Sequence, residues 1–233
     1  MISDYSKIQM NTFYYKEKGF AWQNLDLIVS DALQKWGQKI VLDGYFQSDK
    51  YFSHLGSYIY DTFTPSEGLI ETIKKETDLF LRFPELDPAK VGLVTTRCLV
   101  GVRRGDYIKN ENNISFHNPC GLDYYKKAFD ILPANVYYVI SDDIDWCKKE
   151  FVKEFPEKSF VFLEEPDDLV TFYFARLFRN YICANSSFHW WASYLSYYKG
   201  LGEEVKVVCP KKHFGPTGPK EYQDYFRKEM ILV

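Results

Sequence analysis

The 233-residue sequence predicts an α/β fold built on a parallel sheet. From about residue 90 onward, short apolar runs alternate with helical patterns, the order that wraps helices around parallel strands. The runs are continuously apolar rather than alternating, as strands buried on both faces should be. Three of them also discharge into polar residues at a turn, where an open α/β sheet gathers its ligand.

Strands are expected at residues 97–102, Val136–Ser141, Ser159–Leu163, Tyr181–Ala184 and Val205–Cys209. Helical patterns lie between them. Leu122–Leu132 places Tyr125, Ala128, Phe129 and Leu132 on one face, Asp145–Phe155 follows, and Leu169–Phe178 and Phe188–Tyr198 are strongly apolar. Residues before 90 are less regular. They predict a helix over Ala21–Trp36, a short strand at Ile40–Leu42, and a helix over Ser66–Phe83 with Ser66 as its cap. Pro84 and Pro88 then mark a linker, dividing the chain into a part at 1–90 and a part at 91–233.

A hydrophobic fraction of 46% supports a sizeable core. The 18% of aromatic residues reads mainly as core, with ring faces for sugar stacking as the functional alternative. A net charge of −3 lacks the basic excess of a nucleic-acid binder. The five cysteines are scattered without a CxxC pair and read as buried thiols in a reducing, cytoplasmic setting. The N-terminus carries no apolar signal region, and no stretch is long and apolar enough to predict a membrane span.

Three strand exits could carry chemistry. Cys98–Val102 runs into Arg103-Arg104-Gly105-Asp106, two fixed cations at a glycine turn. A guanidinium there suits phosphate, and Asp106 is expected to pin one arginine and leave the other for ligand. A surface ion pair is the plain alternative, and Arg104-Gly105-Asp106 also spells an adhesion tripeptide, with nothing else to suggest an extracellular setting. Val136–Ser141 ends at Asp142 and Asp143; one would cap the next helix, and the other would meet ribose hydroxyls or a base edge. Asp143-Ile144-Asp145 has the spacing of a metal-holding acidic pair. The strand at 181–184 ends at Asn185-Ser186-Ser187, where a helix N-terminus makes an anion site. His189 follows in an aromatic helix and reads as packing rather than as a base.

Together these segments resemble family 11 glycosyltransferases, the α-1,2-fucosyltransferases that use GDP-fucose. The family's His-x-Arg-Arg-Gly-Asp-Tyr motif falls on Gly101 to Tyr107, its Ser-Asp-Asp on Ser141 to Asp143, and its Asn-Ser-Ser-Phe-x-Trp-Trp on Asn185 to Trp191. Gly44 to Ser48 with Tyr51-Phe52 also looks like a family segment. The resemblance implies a GT-B-like enzyme: a Rossmann-type parallel-sheet donor domain at 91–233 and a reduced N-terminal α/β part, on the acceptor side, at 1–90. It implies inverting transfer to a glycan hydroxyl without a metal or other cofactor, and it leaves room for a homo-oligomer. Arg103 becomes the diphosphate clamp, and Asp106 the candidate base. Gly101, Arg104, Asp142, Asp143, Asn185, Ser186, Ser187 and Phe188 become donor-binding positions.

The chain departs from the family pattern. Gly101 stands where the motif has histidine, and Thr171 stands where an acidic residue, fifteen positions before Ser186, helps to hold guanine. A Gly-rich segment after the first strand has no counterpart. Three other readings therefore stay open: transfer of rhamnose from a UDP or GDP donor, a metal-dependent enzyme built on Asp143-Ile144-Asp145, and a non-catalytic nucleotide-sugar-binding module.

Overall fold

A computed structural model describes residues 12–36, 39–76, 97–164, 167–197 and 205–233. The chain forms two compact units, one of Met1–His54 with Pro219–Arg227 and one of Leu55–Gly218 with Lys228–Val233. The linker expected at 82–88 and the end of the helix expected to reach Phe83 lie outside the described residues.

The smaller unit contains a βαβ turn of chain. Strand β1 (Thr12–Lys16), helix α1 (Leu25–Trp36) and strand β2 (Lys39–Asp43) form a two-stranded parallel sheet, with Thr12 opposite Lys39 and Lys16 opposite Asp43. The helix starts four residues later than the apolar pattern suggests, because Asn24 caps it by accepting from the amides of Asp26 at 3.1 Å and Leu27 at 3.4 Å. Beyond β1, the Glu17 carboxylate accepts from the amides of Tyr45 at 2.8 Å and Phe46 at 3.1 Å, which fixes the exit of β2. Residues 219–227 join this unit through Asp224, which accepts from the Trp22 amide at 2.8 Å and pairs with Lys50.

The larger unit begins with α2 (Gly56–Thr62) and α3 (Glu67–Glu76), whose first turn is capped by Ser66 as expected. It continues with β3 (Arg97–Val102), α4 (Glu111–His117), α5 (Leu122–Ile131), β4 (Val136–Ser141), α6 (Ile144–Glu154) and β5 (Phe160–Phe162). It ends with α7 (Asp168–Ala175), β6 (Asn180–Ile182), α8 (Ser187–Ser196), β7 (Lys206–Cys209) and β8 (Met230–Leu232). All six strands are parallel, in the order β5-β4-β3-β6-β7-β8. In order of appearance this reads 3-2-1-4-5-6, the doubly wound arrangement whose switch point lies between the first and fourth strands, here β3 and β6. The expected Rossmann-type parallel sheet is therefore present. Strands β1 and β8 and helices α2 and α4 were not foreseen; each is seven residues or shorter, too brief for a periodic pattern.

Both faces of the sheet are covered. On one, Cys98, Val100, Val102, Tyr137 and Val139 pack against Tyr125, Ala128 and Phe129 of α5 and Cys147 and Phe151 of α6. On the other, the Tyr138 ring meets Phe178 at 5.2 Å and Phe174 at 6.4 Å. Phe129 centres an aromatic cluster, with Tyr137 at 4.5 Å, Phe155 at 5.1 Å and Phe160 at 5.9 Å. Two buried tyrosines satisfy their hydroxyls on the backbone: Tyr125 donates to Gly101 O at 3.2 Å and Tyr137 to Leu132 O at 3.3 Å. The five cysteines are buried thiols. Among the described residues no helix is long and apolar enough to cross a membrane.

Replacing Phe129 with alanine removes the centre of this cluster and is expected to lower unfolding free energy by about 3–5 kcal/mol. Val152→Ala on the exposed face of α6 should change it by about 0.5 kcal/mol or less. Urea titration of both variants checks the contrast.

Candidate active site

The exits of β3 and β4 are adjacent in the sheet, with Val102 opposite Ser141. That register sets Arg103 and Arg104 beside Asp142 and Asp143. The Asp142 carboxylate accepts from the Arg104 amide at 2.9 Å and pairs with Arg103 Nε at 3.2 Å. It lies so close to Gly105 that a Cβ there would sit 2.4 Å from its Oδ2. Glycine at 105 is thus a packing requirement.

The two arginines are held differently. Arg104 donates from Nε to Asp143 at 3.1 Å, and its guanidinium lies 3.8 Å from the centre of the Trp146 ring. Its side chain is 17% exposed. Asp143 also accepts from the Trp146 amide at 3.3 Å and so caps α6. Arg103 is 38% exposed and pairs through Nη2 with Asp106 at 2.7 Å. Its two ion pairs use Nε and Nη2, and neither uses Nη1. Asp106 therefore pins the outer arginine, whereas the sequence left open which one it would take. One carboxylate of the Asp143-Ile144-Asp145 pair is committed to Arg104 and the helix cap. Among the described residues no group of three or more His, Cys, Asp or Glu side chains is arranged around a metal-sized site.

At the exit of β6, Asn185 is 2% exposed and works as a staple. Its amide donates to the carbonyls of His117, of Asn118 at 3.3 Å and of His213 at 2.9 Å. Its own carbonyl accepts from the Tyr107 hydroxyl at 3.1 Å, and Tyr107 stacks on His117 at 3.9 Å. Burial raises the Tyr107 pKa above the ordinary phenol value. Ser186 occupies the N-cap position of α8 yet makes no capping bond with its side chain. Ser187 is exposed on the first turn. Phe188 meets Phe172 edge-on at 5.2 Å.

A cavity of about 150 Å³ opens at these strand ends. Arg103, Asp142, Ser186 and Phe188 of the predicted set line it. Gly101, Arg104, Asp106, Asp143, Asn185 and Ser187 do not appear in its lining. The wall also includes His189, Asp168 and Thr171, which the sequence reading had not assigned to ligand. Asp168 lies one helical turn before Thr171 on α7, and residues three apart share a helix face. Burial and the neighbouring Arg103 push the His189 pKa down to about 3, so the imidazole is neutral.

Comparison with known proteins places the chain in a family. The family model of glycosyl transferase family 11 matches residues 10–231. An alpha-1,2-colitosyltransferase of Escherichia coli is 31% identical over 160 residues, covering 66% of this chain and 51% of its own length. The O-antigen biosynthesis glycosyltransferase WbnK of the same organism is 33% identical over 118 residues, covering 48% and 37%. A galactoside 2-alpha-L-fucosyltransferase of Caenorhabditis elegans is 27% identical over 201 residues, covering 78% and 52%. The chain spans about half or less of the length of these relatives. With the three motifs on one edge of a doubly wound sheet and the family match running nearly end to end, the chain belongs to glycosyl transferase family 11.

Proposed function

We propose that the protein transfers fucose from GDP-fucose to a hydroxyl of a glycan acceptor, with inversion and without a metal ion. The observation that carries this reading is the half-exposed Arg103 guanidinium at the wall of a cavity of about 150 Å³, at the carboxyl end of the first strand of the six-stranded sheet. The relatives named as fucosyltransferases support the sugar. Transfer of colitose, another deoxy sugar, is the second reading, supported by the relative named as a colitosyltransferase.

In this reading the diphosphate replaces Asp106 on Arg103. The Arg103–Asp106 pair is solvent-exposed, and such pairs contribute only about 0–1 kcal/mol, so exchange for a phosphate carries little penalty. Asp142 keeps its hold on Nε and aims the fork. The bond from the sugar C1 to the diphosphate oxygen then breaks, and the electron pair stays on that oxygen, where Arg103 neutralises it. The acceptor hydroxyl forms the new bond to C1 from the opposite face and gives up its proton; Asp106, released from Arg103, is the proposed base. Amides at the N-terminus of α8 beside Ser186 add further donors for the anion. The smaller unit, with Tyr14, Trp22 and Tyr45 exposed, is the proposed acceptor side.

Arg103→Ala is expected to lower kcat/KM about 10²–10³-fold with the melting temperature unchanged. Arg103→Lys should be nearly as poor, because an ammonium cannot reproduce the planar fork. Chromatographic assay of fucosyl transfer with thermal unfolding of the same samples checks both; near-normal turnover in either variant would remove the clamp. Transfer should also proceed at the same rate in excess EDTA, and loss of activity restored by a divalent cation would overturn the metal-independent reading.

A further inference from the structure

A second, larger cavity is lined by residues other than those of the strand exits. It has a volume of about 360 Å³ and lies between α3, residues 62–65 and α7. Small-molecule sites start at about 300 Å³ and combine mostly apolar walls with a few placed polar groups. This cavity has that make-up. Phe63, Leu69, Ile73, Leu169 and Phe172 stand in its wall. Leu169 is 74% exposed and Leu69 is exposed as well, so part of the wall is open to water.

Most polar groups of the wall are engaged within the protein. Thr62 donates to Tyr58 O at 2.8 Å, Thr64 to Tyr60 O at 2.8 Å and Thr72 to Gly68 O at 2.9 Å. Asp167 accepts from the amides of Leu169 at 2.7 Å and Val170 at 3.2 Å, and so caps α7.

Arg176 differs from these. It lies at the C-cap of α7 and is 5% exposed. It donates from Nη1 to Phe63 O and from Nη2 to Thr64 Oγ1 at 3.2 Å, and its guanidinium lies 4.9 Å from the centre of the Tyr60 ring. Those bonds use two of the five N–H donors in its fork. No carboxylate pairs with it among the described residues. Asp167 stands at the other end of α7, about 13 Å away along a helix. The last carbonyls of α7 favour a cation but carry only partial charge. A buried cation without a counter-ion is costly, and a guanidinium fork matches a carboxylate or a phosphate.

We infer that the cavity between α3 and α7 binds an amphiphilic anion, a short alkyl chain or small ring system carrying a carboxylate or phosphate, with the anion on Arg176 and the apolar body along Leu69 and Leu169. The volume is more than twice that of a cavity that holds a single benzene, so the body is larger than one ring. The site is separate from the one lined by Arg103. Helix α7 divides them, with Thr171 lining that cavity and Val170 and Tyr173 lining this one.

Titration calorimetry on the full chain with octyl phosphate, octanoate and octanol, each below its micelle-forming concentration, tests this. Both anions should bind about 10–100-fold tighter than octanol, the difference that charge-assisted hydrogen bonds supply. Whichever anion binds tighter names the head group, a phosphate or an acyl carboxylate. The same affinities are expected with excess GDP present. Arg176→Gln keeps an N–H donor for Phe63 O but no charge, and should bring both anions down to the level of octanol. Leu69→Glu, at the third position of α3, completes a capping box with Ser66, so the helix should hold. Its carboxylate should weaken both anions severalfold more than octanol. Thermal unfolding of the same samples checks that both variants are folded. Octanol binding as tightly as the anions, anion binding unchanged by Arg176→Gln, or equal weakening of all three ligands by Leu69→Glu overturns the inference. So does displacement of the anions by GDP, or no binding of any of the three. In each of these cases the donor reading stands.

Discussion

The site depends on the carboxylate of Asp142. It accepts from the Arg104 backbone, pairs with the Arg103 side chain, and fills the space above Gly105. One group thereby joins the exits of β3 and β4 and sets the direction of both arginines. The parallel register that places Val102 beside Ser141 makes this reach short. The sheet order then puts the assembly at the switch between β3 and β6, where the helices part to opposite faces and leave a crevice.

Magnitudes separate the roles of neighbouring residues that look equivalent in the sequence. Arg104 is enclosed between Asp143 and the Trp146 ring, and a stacked, partly desolvated guanidinium is held more firmly than an exposed pair. Arg103 sits in an exposed pair, and such pairs contribute little to stability. The same reasoning divides the paired serines and aspartates. Asp143 and Asp167 are bound to helix N-termini, whereas Asp142 and Asp168 reach the cavity. Ser186 lines the cavity, and Ser187 faces solvent.

The six-stranded sheet was legible because its strands are continuous apolar runs ended by turn residues; five of them match within two residues of the expected bounds at either end. The strand exits were legible because charged residues at the end of an apolar run have few structural reasons to be there. The wall of the cavity was not legible. His189 lies in an aromatic helix and reads as packing, and the structure buries it against Gly101 of β3, a contact between residues far apart in sequence that a local pattern does not carry. Asp168 joins the wall beside Thr171 because a helix face is shared by residues three apart, which a linear reading does not display. Asn185, part of a motif expected to meet ligand, ties two other backbone segments, at 117–118 and at His213, to its own, a role set by tertiary contacts that a local pattern does not carry. Strand β8 is three residues long and follows a long irregular segment, so no periodicity announced it.

The central claim is that one guanidinium exchanges a protein carboxylate for the diphosphate of a sugar donor. A crystal structure with GDP bound tests it most directly. The account predicts the Arg103 guanidinium within about 2.7–3.2 Å of diphosphate oxygens, still held at Nε by Asp142 and parted from Asp106. A structure in which Arg103 stays on Asp106 while the diphosphate binds elsewhere would contradict it.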